Sequence, residues 1–144
     1  MIAVTVSAAH IQRQKKKKKP RQHWAKAWLM KRPSLSHTSL MEELRLEPTD
    51  WFNYLRMDEA NYRQLLALLT PLIQKQDTCM RRSISPHERL SATLRFLATG
   101  RSYEDLKFSA AISPQALGHI IPDTCKAIWQ ALHKEYLKVS IYFI

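Results

Sequence analysis

Two glycines in 144 residues are too few for the turns of a β-barrel or for collagen, and 45% hydrophobic residues are too many for a wholly disordered chain. Cysteine is as scarce. Cys79 and Cys125 lie 46 positions apart with no CxxC pair and no histidine at ligand spacing, so they read as reduced core or surface thiols and not as a zinc site. Long hydrophobic runs are missing too. The longest, Leu65 to Ile73, is interrupted by Thr70 and Pro71 and falls well short of the roughly 18 to 20 residues of a membrane span. The apolar stretch from Met1 to Ile11 has its lysines after it and none before, the reverse of a secretory signal. These absences predict a soluble, intracellular, all-α protein with no membrane partner. At about 100 to 200 residues per domain, the length allows one core with a tail or two.

Acid is absent from the first 40 residues. Arg13, Lys15 to Lys19, Arg21, Lys26, Lys31 and Arg32 put ten of the 23 bases there, leaving 13 bases against 12 acids in the other 104 residues. The sequence therefore predicts a disordered basic arm over 1–21, in which dense like charge repels and extends the chain, ahead of a nearly neutral helical domain over 22–139. Such arms seek phosphate or an acidic receptor surface. Residues 140–144 form an apolar, uncapped tail.

Periodicity and caps place the helices. Trp24 and Trp28, at i and i+4 before Pro33, suggest a short docking helix over 22–31. Ser39 with Glu42 forms a capping-box pattern ahead of Leu40, Met41 and Leu44, with Pro48 as the stop. Thr49 and Asp50 can cap a turn carrying Trp51, Phe52, Tyr54 and Leu55. Asp58 caps an amphipathic helix running to about Gln76 through Tyr62, Leu65, Leu66, Leu69, Leu72 and Ile73, kinked at Pro71. Ser85-Pro86-His87-Glu88 opens a helix that Gly100 stops. Ser102 starts a short one to about Phe108. Ser113-Pro114 starts another, whose stripe of Leu117, Ile121, Cys125, Ile128, Leu132 and Tyr136 continues through Pro122 as one bent helix.

The three helices over 86–121 have the lengths and short turns of a helix-turn-helix, whose last helix would place its N-terminal residues in the major groove. Its exposed positions would be Ser113, Gln115, Ala116 and His119, with Gln115 able to pair bidentately with adenine and His119 able to reach base or phosphate. There is no Lys or Arg before Lys126, and Asp123 would repel the backbone, so a plain helical scaffold stands beside this reading. Lys15, Lys16, Lys17, Lys18, Lys19 and Arg21 have the form of a nuclear-import signal and would also bind phosphate without sequence preference, against the alternative of a solvated tail. Arg81, Arg82, Arg89, Arg95 and Arg101 either line a second basic surface or are scattered and balanced by Glu88, Glu104 and Asp105. Trp51 and Trp129 are expected in the core and the six histidines at the surface. Asp50, Asp58, Asp77, Asp105 and Asp123 are expected at caps or turns, where the helix dipole explains them without a metal. No catalytic residue, metal ligand set or cofactor is expected.

The segments EELRLEP, FNYLRM, DTCMRRSISPHERLSATLRFLATGRSYEDLKF and HIIPDTCKAIWQALHKEYLKV together resemble the N-terminal helical region of PIF/Harbinger transposases and Harbinger transposase-derived nucleases, over about 22–139. The most specific part is Glu88 to Tyr103, followed at family-like spacing by Ile120 to Cys125 and Glu135 to Val139. The resemblance implies a helix-turn-helix-like region preceding an RNase H-like nuclease domain with three metal-binding acids. This sequence diverges at Ser140, ends at Ile144, and carries over none of those acids, so a non-catalytic nuclear fragment is expected. The segment from Pro114 to His119 departs from the family in having no basic residue. The family is also similar to two-component systems in which a Myb/SANT-like protein supplies much of the DNA binding. The expected partners are therefore DNA and an import receptor, with docking of a Myb/SANT-like protein or of a full-length nuclease relative as the rival role.

Overall fold

A computed structural model describes residues 36–79 and 82–136, with Leu29, Lys31 and Ser34 ahead of them. The basic arm, the face of Trp24 and Trp28 and the 140–144 tail lie outside the described residues. Within them the chain is an all-α small domain of six helices: α1 His37–Leu44, α2 Pro48–Leu55, α3 Glu59–Ile73, α4 Pro86–Thr99, α5 Tyr103–Ala110 and α6 Pro114–Tyr136.

Their boundaries follow from local side-chain chemistry. At α4, Ser85 Oγ accepts from the Glu88 amide at 3.3 Å while the Glu88 carboxylate accepts from the Ser85 amide at 2.9 Å, the reciprocal capping box. Gly100 closes the helix at φ 64°, donating to the Phe96 carbonyl at 2.8 Å. Asp58 caps α3 and Ser102 caps α5, each accepting the third amide of its helix at 2.7 and 3.2 Å. Other boundaries differ from expectation. Ser36 caps α1, accepting from the Thr38 amide at 3.1 Å, so Ser39 lies inside the helix. Pro48 opens α2 instead of closing α1, because a first helical residue has no intrahelical use for the amide that proline lacks. Helix α3 ends at Ile73, and α5 runs two residues beyond Phe108. Asp123 sits within α6, not at a cap.

Two apolar clusters meet at α4, which contacts each of the other five helices. Leu90 and Leu94 belong to the larger cluster, with Met41, Trp51, Leu55, Tyr62, Leu65, Leu69, Ile73 and Ala127. Ala92 faces the smaller one, built from Leu106, Ala110, Ile112, Leu117, Ile120 and Ile121. Helix α6 joins both, its first turns in the smaller cluster and Ala127 onward in the larger, with Pro122 between. Edge-on rings tie α2, α3 and α4 together: Trp51 on Tyr62 at 5.5 Å and Tyr62 on His87 at 5.6 Å.

Every residue from Arg89 to Leu94 is buried, so α4 has no wet face there. Its polar groups are satisfied by its own backbone, Ser91 Oγ donating to the His87 carbonyl at 2.7 Å and Thr93 Oγ1 to the Arg89 carbonyl at 2.8 Å. His37 of α1, expected at the surface, is buried against this segment with Nε2 2.6 Å from Ser91 Oγ. The Ser91 hydroxyl has one proton: when it goes to the His87 carbonyl, Nε2–H of His37 donates to Ser91 Oγ, and when it goes to His37, Nε2 accepts it, an arrangement open only to the neutral imidazole.

Burial, with the nearby His87, drops the His37 pKa to about 4 from its ordinary 6.5. The unfolded chain takes up this proton near pH 6.5 and the folded chain only near 4, so the stability due to neutral His37 is complete above pH 6.5 and is lost as pH falls toward 4. That window is worth on the order of 3 kcal/mol, and His87, also pushed down by burial, adds in the same direction. Urea unfolding at pH 7.5, 5.5 and 4.5 is expected to show this loss, and His37→Gln to flatten it; an unchanged slope in the variant would assign the effect elsewhere. The two glycines are expected to respond with opposite signs. Gly100→Ala meets no atom within 4 Å but forces an L side chain to positive φ, costing about 1 kcal/mol. A methyl on Gly118 meets the Tyr103 ring at an ordinary 3.8 Å, so Gly118→Ala gains up to about 1 kcal/mol of helix propensity. Thermal unfolding of the pair checks both.

Candidate nucleic-acid interface

Three residues separate α5 from α6. Ala111 turns the chain in the left-handed region at φ 52°, Ile112 is wholly buried in the smaller cluster, and the Ser113 carbonyl accepts the Leu117 amide at 2.9 Å. Tyr103 packs on Phe96 with centroids 5.3 Å apart and reaches over Gly118, joining the end of α4, the start of α5 and the first turns of α6. The inner face of α6 is thereby fixed by Leu117, Ile120, Ile121 and Thr124, all buried. Its outer face presents Gln115 and His119, one turn apart and both exposed, as expected. Ser113 and Ala116 are only partly exposed. No acid occupies the first turn, leaving the positive end of the helix dipole unopposed there. Asp123 and Lys126 follow on the exposed side further along.

Arg101 is not brought onto this face by any described contact. It lies in the turn between α4 and α5, paired with Asp105 at 3.3 Å, and both partners are about half exposed, which limits the pair to ~1 kcal/mol or less. Arg101 instead lines a cleft of about 320 Å³ with Ser36, His37, Leu40, Tyr54, Arg95 and Ser109. Arg95 is held in place there: Nη1 donates to the Tyr54 carbonyl at 2.9 Å, and the guanidinium lies 4.3 Å above the centre of the Tyr54 ring. Burial raises the Tyr54 phenol pKa, with both arginines pulling it down. The five-arginine surface is thus not one surface. Arg89 is buried and donates Nε to the Ile84 carbonyl at 3.0 Å, with burial lowering its pKa. Arg82 belongs to the loop before α4, beside Asp77, and Arg81, like Lys15 to Lys19 and Arg21, lies outside the described residues.

Trp129 corrects a further expectation. It is 58% exposed, stacked face to face on His133 with centroids 4.2 Å apart and planes 6° from parallel. His133 Nδ1 carries the proton in this arrangement, because it donates to the Trp129 carbonyl at 2.9 Å and a carbonyl only accepts. The apolar stripe of α6 contains the clue: Ile128 and Leu132 keep the phase, and Trp129 falls one residue outside it. Tyr136, though in phase, is 73% exposed at the last residue of the helix.

Among the described residues no group of three or more His, Cys, Asp or Glu side chains could hold a metal, and no helix is long and apolar enough to cross a membrane. Comparison with protein-family models, curated proteins and solved structures finds no match to the chain.

The two tryptophans are expected to separate in mutagenesis. Trp51→Ala, at 3% exposure, should cost about 3 to 5 kcal/mol, and Trp129→Ala should change stability by less than about 0.5 kcal/mol. Urea titrations of the two variants measure this directly, and a large loss in Trp129→Ala would place that ring in the core.

Proposed function

We propose that the chain is a non-catalytic, transposase-derived nuclear protein, akin to the N-terminal helical region of PIF/Harbinger transposases, that binds DNA chiefly through backbone phosphates. The observation that carries this reading is the outer face of α6, where Gln115 and His119 stand exposed one turn apart at the N-terminal end of a helix whose inner face is locked in the smaller cluster. In this reading α4, α5 and α6 act as a helix-turn-helix-like unit, Gln115 reads adenine, and His119 reaches a base or phosphate. Lys15 to Lys19 and Arg21 supply most of the affinity by releasing counterions, and the same run, with Arg13, is read by a nuclear import receptor.

A second reading rests on a different observation. Trp129 and Tyr136 are large, exposed rings on the C-terminal half of α6, a composition typical of protein interfaces, and they support docking of a Myb/SANT-like partner in place of direct base reading.

Duplex-binding anisotropy across a salt series separates the two. With Lys15 to Lys19 all replaced by alanine, the slope of log affinity against log salt should shrink by about four to five. Gln115→Ala should leave the slope alone and reduce discrimination between duplex sequences by about 1 to 3 kcal/mol. If the five-lysine variant binds with an unchanged slope, or no duplex binds at all, the DNA reading fails and the docking reading takes its place.

A further inference from the structure

The cleft that holds Arg95 and Arg101 lies apart from the face of α6 and has no role in the reading above. Its lining is Ser36, His37, Leu40, Tyr54, Arg95, Arg101 and Ser109, with two guanidinium groups and no carboxylate. A larger cleft of about 570 Å³ beside the 74–88 loop differs in kind, mixing Lys75 and Arg82 with Asp77 and Glu88, so it presents no single charge. Two like charges brought to one concave surface repel each other, and that repulsion is relieved when an anion enters.

The donors are also prepared. Arg95 spends one N–H on the Tyr54 carbonyl and lies over the Tyr54 ring, so its planar fork is fixed, and among the described residues no acid pairs with it. A guanidinium held in this way loses little freedom when it binds a tetrahedral oxyanion. Arg101 is tied only to Asp105, through an exposed 3.3 Å contact that an incoming anion can replace. Ser36 and Ser109 line the cleft with their hydroxyls engaged at the α1 cap and on the Leu106 carbonyl, so the arginines are its charged donors, and the positive end of α1, with no acid in its first turn, begins at the same point.

We propose that this cleft is a phosphate site, in which Arg95 and Arg101 together hold one phosphate group, carried either by a DNA backbone or as free phosphate. The backbone source rests on the DNA-binding reading; the phosphate chemistry of the cleft does not.

The test uses the full chain and two probes, inorganic phosphate and a random-sequence DNA duplex. Phosphate is titrated against chloride at constant ionic strength while the arginine Nε–Hε NMR signals are followed. The expected result is a saturable shift of Arg95 and Arg101, with phosphate affinity falling about tenfold in Arg101→Ala, a surface change that spares the fold, and in Arg95→Lys, which keeps the charge and loses the fork. Arg63→Ala, which removes one charge from the outer side of α3, should leave phosphate binding unchanged. If phosphate shifts neither signal, or Arg63→Ala weakens it as much as Arg101→Ala, the proposal is overturned. The duplex then identifies the source. Weaker duplex binding by Arg101→Ala assigns the cleft to the DNA backbone, and an intact duplex affinity with lost phosphate binding assigns it to free phosphate. A chain that binds phosphate but no duplex sinks the DNA reading and leaves the site standing.

Discussion

The interior turns on α4 having nowhere to put a polar group in water. From Arg89 to Leu94 the helix is enclosed, and a buried hydroxyl without a partner costs about 1 to 3 kcal/mol. Ser91 and Thr93 meet this constraint by bonding to the turn behind them, and Arg89 does so by reaching the Ile84 carbonyl. Small side chains at 91 to 93 also let the surrounding helices come close, so two apolar clusters can share one central element. His37 is drawn in by this arrangement as the link from α1 to Ser91 of α4, and burial there favours its neutral form.

The outer surfaces divide by chemistry. The first turns of α6 are polar and weakly charged, the second half of the helix carries exposed rings, and the turn after α4 contributes a guanidinium to a cleft floored by α1 and α2. None of these surfaces carries the charge excess of the chain, because the bases crowd into the first 40 residues and leave the rest nearly balanced. Long-range attraction to a polyanion therefore belongs to the arm, and the folded part can contribute position and selectivity.

Much of this fold was legible in the sequence where a boundary depends on one residue and its immediate neighbours. Ser85, Pro86, Glu88 and Gly100 delimit α4 because a cap, a fixed φ and a left-handed stop are local effects, and the stripe from Leu117 to Leu132 carried α6 through Pro122 for the same reason. Ser36 and Ser39 both offer a cap, and the choice between them depends on His37 finding Ser91, 54 positions away. Pro48 can end one helix or begin another, and only packing of Trp51 and Leu55 decides. For the candidate surface, the exposure of Gln115 and His119 followed from the α6 stripe. The meeting of Arg95 and Arg101 in one cleft did not, since Arg95 is held by Tyr54 of α2 and Arg101 lies in a turn, and nothing in their spacing reports either placement.

Proline at position 122 removes the helical bond that the Gly118 carbonyl would otherwise accept. The gap falls where α6 passes from one apolar cluster to the other. Cooperativity is interrupted at the same point: the amide ladder offers two segments that can open one at a time, the first with α5 and the second with α3. Amide protection in this long helix would then fall into two blocks, and a ligand seated on the first turns would slow exchange in one block without reaching the other.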